Sequence, residues 1–235
     1  MKVAIITPYY TEPTEILKRC HASVIAQTYK NVTHIMVADG NPHPWCDKEA
    51  QVEHYILPKT HGDAGATPRA LGAMSAFSLG YDAVAFLDAD NWFEPNHIQV
   101  MIDTMTEDKA EAIVATRTIH SLDGKPMYVD DIESTGRTFV DTNCWFLHKK
   151  TAMLLAFWIT EPANHLISDK IFFQAVRQSN VPVGRSLTPT VAYVTRWAWH
   201  YQKAGMPIPP EAIWMSQDQH GNHTTIKEKD RGVNS

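Results

Sequence analysis

The sequence predicts an α/β fold in which a mostly parallel central sheet is covered by helices on both faces. Two observations support this prediction. Short apolar runs alternate with segments of helical periodicity over residues 1–115, and such alternation implies right-handed crossovers between parallel strands. The 235 residues, 44% of them apolar, suffice for one large domain with a sizeable core.

In the N-terminal half, each predicted strand is an apolar run that stops at turn residues, and two of the helices open with a proline in the first turn. The third helix follows Pro95 with apolar residues at helical spacing. The predicted strands are 3–6, 32–38, 52–57, 83–87 and 112–116, and the predicted helices are 13–27, 67–79 and 95–105.

The C-terminal half is less regular. It contains a hairpin turn at 121–125, strands at 144–148 and 190–195, and helices at 151–158 and 168–179. We therefore expect one domain over residues 1–215, with halves 1–115 and 116–215. The polar tail, residues 216–235, is expected to be mobile or to become ordered over a ligand.

Composition excludes several classes of protein. The net charge of −5 provides no basic field, so nucleic acid is not expected as a partner. Cys20, Cys46 and Cys144 form no C-x-x-C pair, which indicates reduced thiols and a cytoplasmic location. The longest apolar run, 152–159, is far shorter than the roughly 20 residues that cross a bilayer, so we expect neither a transmembrane segment nor a signal peptide.

Polar side chains follow three of the predicted strands. Asp88 and Asp90 end the fourth strand, Asp39 ends the second, and Thr7 and Tyr9 follow the first. The carboxyl ends of parallel strands share one edge, where ligands of open α/β sheets bind. Paired carboxylates there suit Mg²⁺ or Mn²⁺ bound to phosphates. The alternative is that Asp88-Ala89-Asp90 forms only a turn that caps the next helix.

The phosphate-binding motifs G-x-G-x-x-G and G-x-x-x-x-G-K are absent after the first strand. A nucleotide would therefore need another set of contacts. An aspartate that accepts from a base N–H, a tyrosine that stacks on the base and a metal ion on the diphosphate would provide them.

These motifs resemble those of family 2 glycosyltransferases with the GT-A (Rossmann-like) fold, over about residues 2–175. The resemblance implies a nucleotide-sugar donor, with a UDP-sugar favoured, and a glycan or other hydroxyl acceptor. One of the family's two aspartates after the second strand is missing, and Asp39 corresponds to the one that contacts uracil. By the same resemblance, the donor-binding residues are Thr7, Tyr9, Asp39, Arg69 and Asp88, and the metal ligands are Asp88, Asp90 and His200.

The resemblance also implies a catalytic base. Asp169 corresponds to the second residue of the family's Glu-Asp pair, and Ser168 replaces the glutamate. A helix N-terminus favours the carboxylate form that a base needs, although an aspartate there also serves as a simple helix cap. His200 is either a metal ligand or a packed core histidine, and Trp197 or Trp199 either stacks on an acceptor sugar or packs against the core.

The expected reaction is therefore a metal-dependent, inverting and non-processive glycosyl transfer. The sequence lacks the glutamine of the Gln-x-x-Arg-Trp motif that processive members carry before Arg196-Trp197. Two alternatives remain at this stage. One is a nucleotidyltransferase of sugar phosphates, which usually opens with a glycine-rich basic loop. The other is a non-catalytic glycan- or nucleotide-binding module, which would tolerate the loss of Asp169.

Overall fold

A computed structural model describes residues 1–159, 167–217 and 223–231, and it confirms an α/β fold. The strands are β1 (Val3–Tyr9), β2 (Val32–Ala38), β3 (Val52–Ile56), β4 (Ala83–Phe86), β5 (Trp92–Phe93), β6 (Ala112–His120), β7 (Pro126–Val129), β8 (Trp145–His148), β9 (Val183–Val194), β10 (Ile213–Gln217) and β11 (His223–Lys227). The α-helices are α1 (Thr14–Ile25), α2 (Pro44–Lys48), α3 (Ala66–Ser78), α4 (His97–Glu107), α5 (Ser168–Gln178) and α6 (Ala198–Lys203).

The N-terminal half follows the predicted pattern. The parallel strands run in the order β3-β2-β1-β4, and β1 is buried along its whole length. Helix α3 packs closely on β1 and β2, because Gly72 has no side chain. A Cβ at this position would lie 2.8 Å from Ile6 Cγ2 and 2.9 Å from Val37 Cγ2. This close packing sets the position of α3 over the sheet.

The C-terminal half of the large sheet is mixed rather than parallel. Its order continues from β4 through β8, β6 and β9 to β5, and β7 pairs with β6. Strand β8 is antiparallel to both β4 and β6, whereas β6 and β9 are parallel. The expected mostly parallel sheet is thus limited to the N-terminal half and the β6–β9 pair. The reason is that β6 and β8 are joined by hairpin and loop segments, without the crossover helix that parallel neighbours need.

Several local predictions differ from the structure. The segment predicted as a helix at 151–158 is a 3₁₀ helix, Lys149–Trp158. Strands β10 and β11 form an antiparallel pair, so residues 216–217 and 223–227 of the predicted tail belong to a small two-stranded sheet. Backbone pairing overrides the polar composition here. Residues 218–222 and 232–235 of the predicted tail lie outside the described residues.

The segment after β7 is fastened to β6 by one buried side chain. Arg117 is 2% exposed, and its guanidinium lies 2.8 Å from Asp130, 3.2 Å from Glu133 and 2.9 Å from Asp141. Burial alone would raise the pKa of Asp130. The Arg117 charge and the backbone N–H groups of Ser134 and Glu133 outweigh this effect and hold that pKa at about 2. The cluster therefore carries charge inside the protein.

The three cysteines are buried free thiols. Among the helices that the structure describes, none is both long and apolar enough to span a membrane.

Replacing Arg117 with methionine is expected to lower the free energy of unfolding by about 3–5 kcal/mol, because it leaves buried carboxylates without their cation. Urea denaturation followed by circular dichroism measures this loss. The matched control is Lys150→Met, which removes an exposed ion pair to Glu111 and should cost no more than about 1 kcal/mol. Equal losses in the two variants would show that the Arg117 cluster has no special structural role.

Candidate active site

A pocket of about 410 Å³ lies at the carboxyl ends of β1, β2 and β4, and we call it the strand-end pocket. Asp39, Asp88 and Asp90 line it, together with Tyr9 and the loop of residues 59–65 that leads into α3. The structure therefore brings together side chains from three strand ends, as the alternation of strands and helices predicts.

Thr7 is not part of this pocket, contrary to expectation. Its side chain is fully buried, and Oγ1 lies 2.8 Å from Nε2 of His34. Sequence position alone could not reveal this contact, because His34 lies 27 positions away, in β2.

Tyr9 borders the strand-end pocket, but its ring is not free to stack on a ligand. Its hydroxyl accepts from the backbone N–H of His43 at 2.8 Å and lies 2.6 Å from Nε2 of His54. The side chain is also almost completely buried. The neighbouring Tyr10 also lines the pocket and is 47% exposed. Tyr10 is therefore the better candidate for a base-stacking ring. Its position next to Tyr9 in the sequence was the one feature from which this could have been predicted.

Asp39 is held by the loop of residues 59–65. Its Oδ1 lies 2.7 Å from Nδ1 of His61, and its two oxygens accept from the backbone N–H of His61 at 3.0 and 3.1 Å. The N–H of Gly62 adds a longer contact of 3.3 Å. The carboxylate is thus fixed in the pocket wall by one short segment. The contact of His61 with Asp39 could not be predicted from the sequence, since 22 positions separate the two residues.

Asp88 is held from two sides. Arg69, in the first turn of α3, donates from Nη2 to Oδ1 of Asp88 at 2.7 Å. Asn143 accepts from the backbone N–H of Asp88 at 2.6 Å and donates to Oδ2 at 2.9 Å. The amide of Asn143 also donates to Asp141 at 2.9 Å. Arg69, expected as a donor-binding residue, thus contacts Asp88 and is not among the residues that line the strand-end pocket. The position of Asn143 depends on β8 entering the sheet beside β4.

Of the two aspartates, Asp90 has the carboxylate with fewer hydrogen bonds to other side chains in the described residues. Burial and the nearby charge of Asp88 raise the pKa of Asp90 to about 6, which is a cost that a bound cation would remove. The described residues contain no group of three or more metal-ligating side chains. Mg²⁺ on a nucleotide needs only one or two protein carboxylates besides the phosphates. The two aspartates fit such an ion.

The structure does not add His200 to this aspartate pair. Its Nδ1 lies 2.5 Å from Oγ1 of Thr195, and its Nε2 lies 2.9 Å from Oε2 of Glu133. Both ring nitrogens are thus engaged within the protein, and the ring is buried. The packed-histidine alternative describes His200 better than the role of metal ligand.

A second pocket, of about 440 Å³, lies at the N-terminus of α5, and we call it the helix-end pocket. Asp169 in the first turn of α5 lines it, and so does Glu133. Burial and the charge of Asp141 raise the pKa of Asp169 to about 7. In contrast, the pKa of Glu133 is lowered: burial opposes this, but the hydrogen bond and charge of His200, together with Arg117, prevail. Of the two, Asp169 is the carboxylate suited to proton transfer near neutral pH.

Two tryptophans complete the helix-end pocket. Trp197 and Trp199 stack on each other with ring centroids 4.4 Å apart, and both line the pocket. A smaller cavity of about 140 Å³ shares Asp88 and Asp90 with the strand-end pocket and Trp197 with the helix-end pocket. The aspartate pair therefore lies where the two larger pockets meet, which is where a group could pass from one ligand to another.

Comparison with known proteins shows which family this sequence matches. The model of the family described as "Glycosyl transferase family 2" matches residues 4–161. Glycosyltransferase GlyA of Streptococcus pneumoniae is 28% identical over 116 residues, which are 48% of this chain and 16% of that protein. Succinoglycan biosynthesis protein ExoW of Rhizobium meliloti is 32% identical over 124 residues, covering 50% of this chain and 38% of the relative. The chain thus matches less than half the length of both relatives.

Solved structures show the same fold. Crystal structures of S. aureus TarS in complex with UDP and with UDP-GlcNAc align with TM-scores of 0.62 and 0.64, at 12% and 13% identity. The alignments cover 87% and 86% of this chain, and 63% and 61% of the TarS chains. The sheet and helices therefore form a GT-A domain, and with two thirds of its length matched by the family model, the chain belongs to glycosyl transferase family 2.

Proposed function

We propose that this protein transfers a sugar from a UDP-sugar to a hydroxyl group of an acceptor glycan. The observation that carries the proposal is the position of Asp88 and Asp90 between two pockets, one containing Asp39 and the other Asp169. Membership of the family and the UDP and UDP-GlcNAc complexes of TarS support a nucleotide-sugar donor of this kind.

The strand-end pocket would bind the nucleotide. Asp39 would accept the N–H of the uracil ring, and the exposed ring of Tyr10 would cover one face of the base. Arg69 holds Asp88 through a short ion pair, so that this carboxylate keeps its direction when the diphosphate enters. Mg²⁺ or Mn²⁺, held by Asp90 and Asp88, would supply positive charge for the departing diphosphate.

The helix-end pocket would bind the acceptor. Asp169 would take the proton of the attacking hydroxyl, and its raised pKa makes it a stronger base than an ordinary aspartate. Attack from this pocket on a sugar held beside the aspartate pair is an in-line displacement, which inverts the anomeric carbon. Trp197 and Trp199 would pack against the sugar ring of the acceptor.

We also propose single transfers in the cytoplasm. The absence of the glutamine from the Gln-x-x-Arg-Trp motif favours release of the product after each transfer. The three buried free thiols favour a reducing compartment.

Calorimetric titration tests the donor site. UDP is expected to bind more tightly with Mn²⁺ than without it, and more tightly than GDP. Asp90→Asn should weaken the Mn²⁺-dependent binding about 10- to 100-fold, because a charged contact is lost. The control Asp131→Asn changes an aspartate that is 79% exposed and lines neither pocket, and it should have no effect. Equal binding of UDP and GDP, or no binding of either, would contradict the proposed donor.

Asp169→Asn tests the base. With UDP-GlcNAc as the first donor assayed, release of UDP should fall by about 10²–10⁴-fold, while the affinity for UDP stays unchanged. In the unmodified protein, kcat/KM should fall as the pH drops below about 7, because the Asp169 base becomes protonated there. An unchanged turnover in Asp169→Asn would show that Asp169 is not the base, whereas UDP binding without any turnover in the unmodified protein would favour a non-catalytic binding module.

A further inference from the structure

The loop of residues 59–65 forms one wall of the strand-end pocket and is fastened directly to the end of β2. Gly40 has a φ of +72°, and a Cβ at this position would lie 2.3 Å from the backbone nitrogen of Thr60. The Thr60 hydroxyl donates to the carbonyl oxygen of Asp39 at 3.0 Å. At the other end of the loop, Asp63 accepts from the N–H of Thr67 in the first turn of α3 at 2.9 Å. The loop is therefore held without its histidine side chain.

The imidazole of His61 contacts the carboxylate of Asp39. It approaches Oδ1 of Asp39 to 2.7 Å, and in the part of the chain that the structure describes no other side chain forms a hydrogen bond or ion pair with that carboxylate. The other donors are the backbone N–H groups of His61 and Gly62, at 3.0 to 3.3 Å. Oδ1 already accepts two hydrogen bonds from His61, whereas the contacts of Oδ2 are longer. Oδ2 therefore keeps more capacity for a ligand.

We propose that His61 is a positioning residue that directs the Asp39 carboxylate at the nucleotide base and thereby sets the preference for uracil over cytosine. This inference rests on the proposed function of the strand-end pocket. Uracil presents an N–H donor at ring position N3, whereas cytosine presents an unprotonated acceptor there. A fixed carboxylate accepts from the former and repels the latter, so discrimination depends on holding the carboxylate in place. Without the imidazole, Asp39 can turn away from either base.

Three variants separate this role from a structural one. His61→Ala removes the imidazole but keeps both backbone donors. His61→Asn restores an N–H donor near the position of Nδ1, and His61→Gln is the matched control, because its amide extends toward the position of Nε2 instead. Dissociation constants for UDP and CDP, measured by calorimetry in the presence of Mn²⁺, are the readout. Thermal unfolding of each variant verifies that it is folded.

The unmodified protein is expected to prefer UDP to CDP. His61→Ala should weaken UDP binding by about 5- to 10-fold, the effect of one lost hydrogen bond, with little change for CDP. His61→Asn should recover most of the UDP preference, and His61→Gln should not.

Two other outcomes would overturn the inference, and they differ from a failure of the proposed function. If the unmodified protein prefers UDP and His61→Ala retains that preference, His61 does not position Asp39. A parallel loss of UDP and CDP binding would show that the imidazole merely supports the loop. Equal binding of UDP and CDP by the unmodified protein would contradict the uracil site itself, and with it the present inference.

Discussion

The two pockets depend on the ion pairs that the buried guanidinium of Arg117 forms. It joins β6 to three carboxylates of the segment that follows β7. One of them, Asp141, accepts from Asn143, which in turn holds the backbone and carboxylate of Asp88. A hydrogen-bonded chain thus runs from the helix-end pocket to the strand-end pocket. Buried charges of this kind contribute little net stability, but they define one arrangement of the groups that hold them.

The same charges produce different acidities within one pocket. Glu133 contacts Arg117 and His200, and its pKa is lowered despite burial. Asp169 forms no ion pair among the described residues, and the nearby charges of Lys170 and Arg69 offset its burial only in part. Burial and the charge of Asp141 therefore leave its pKa near 7. Because Arg117 lies beside Glu133 and not beside Asp169, one carboxylate of the pocket stays ionised and the other can exchange a proton near neutral pH.

The sequence predicts the part of the site that depends on chain direction. Parallel strands must end at the same edge, so the proximity of Asp39 and Asp88 follows from the strand pattern alone. The direction of each side chain does not follow from it. Thr7 and Tyr9 lie at the expected strand end but are turned into contacts with His34 and His54. These partners are 27 and 45 positions away, and no local pattern relates them to β1.

The C-terminal half was less predictable for a physical reason. Strand β8 enters the sheet antiparallel to β4 and β6 without a crossover helix, so alternation of strand and helix gives no guide to its neighbours. Yet this strand brings Asn143, just before it in the chain, to Asp88, 55 positions earlier. Asp39, Asp88 and Asp90, which could be predicted from the strand pattern, line the strand-end pocket. The residues that hold two of them, His61 and Asn143, come from other segments, and their roles exist only once the chain has folded.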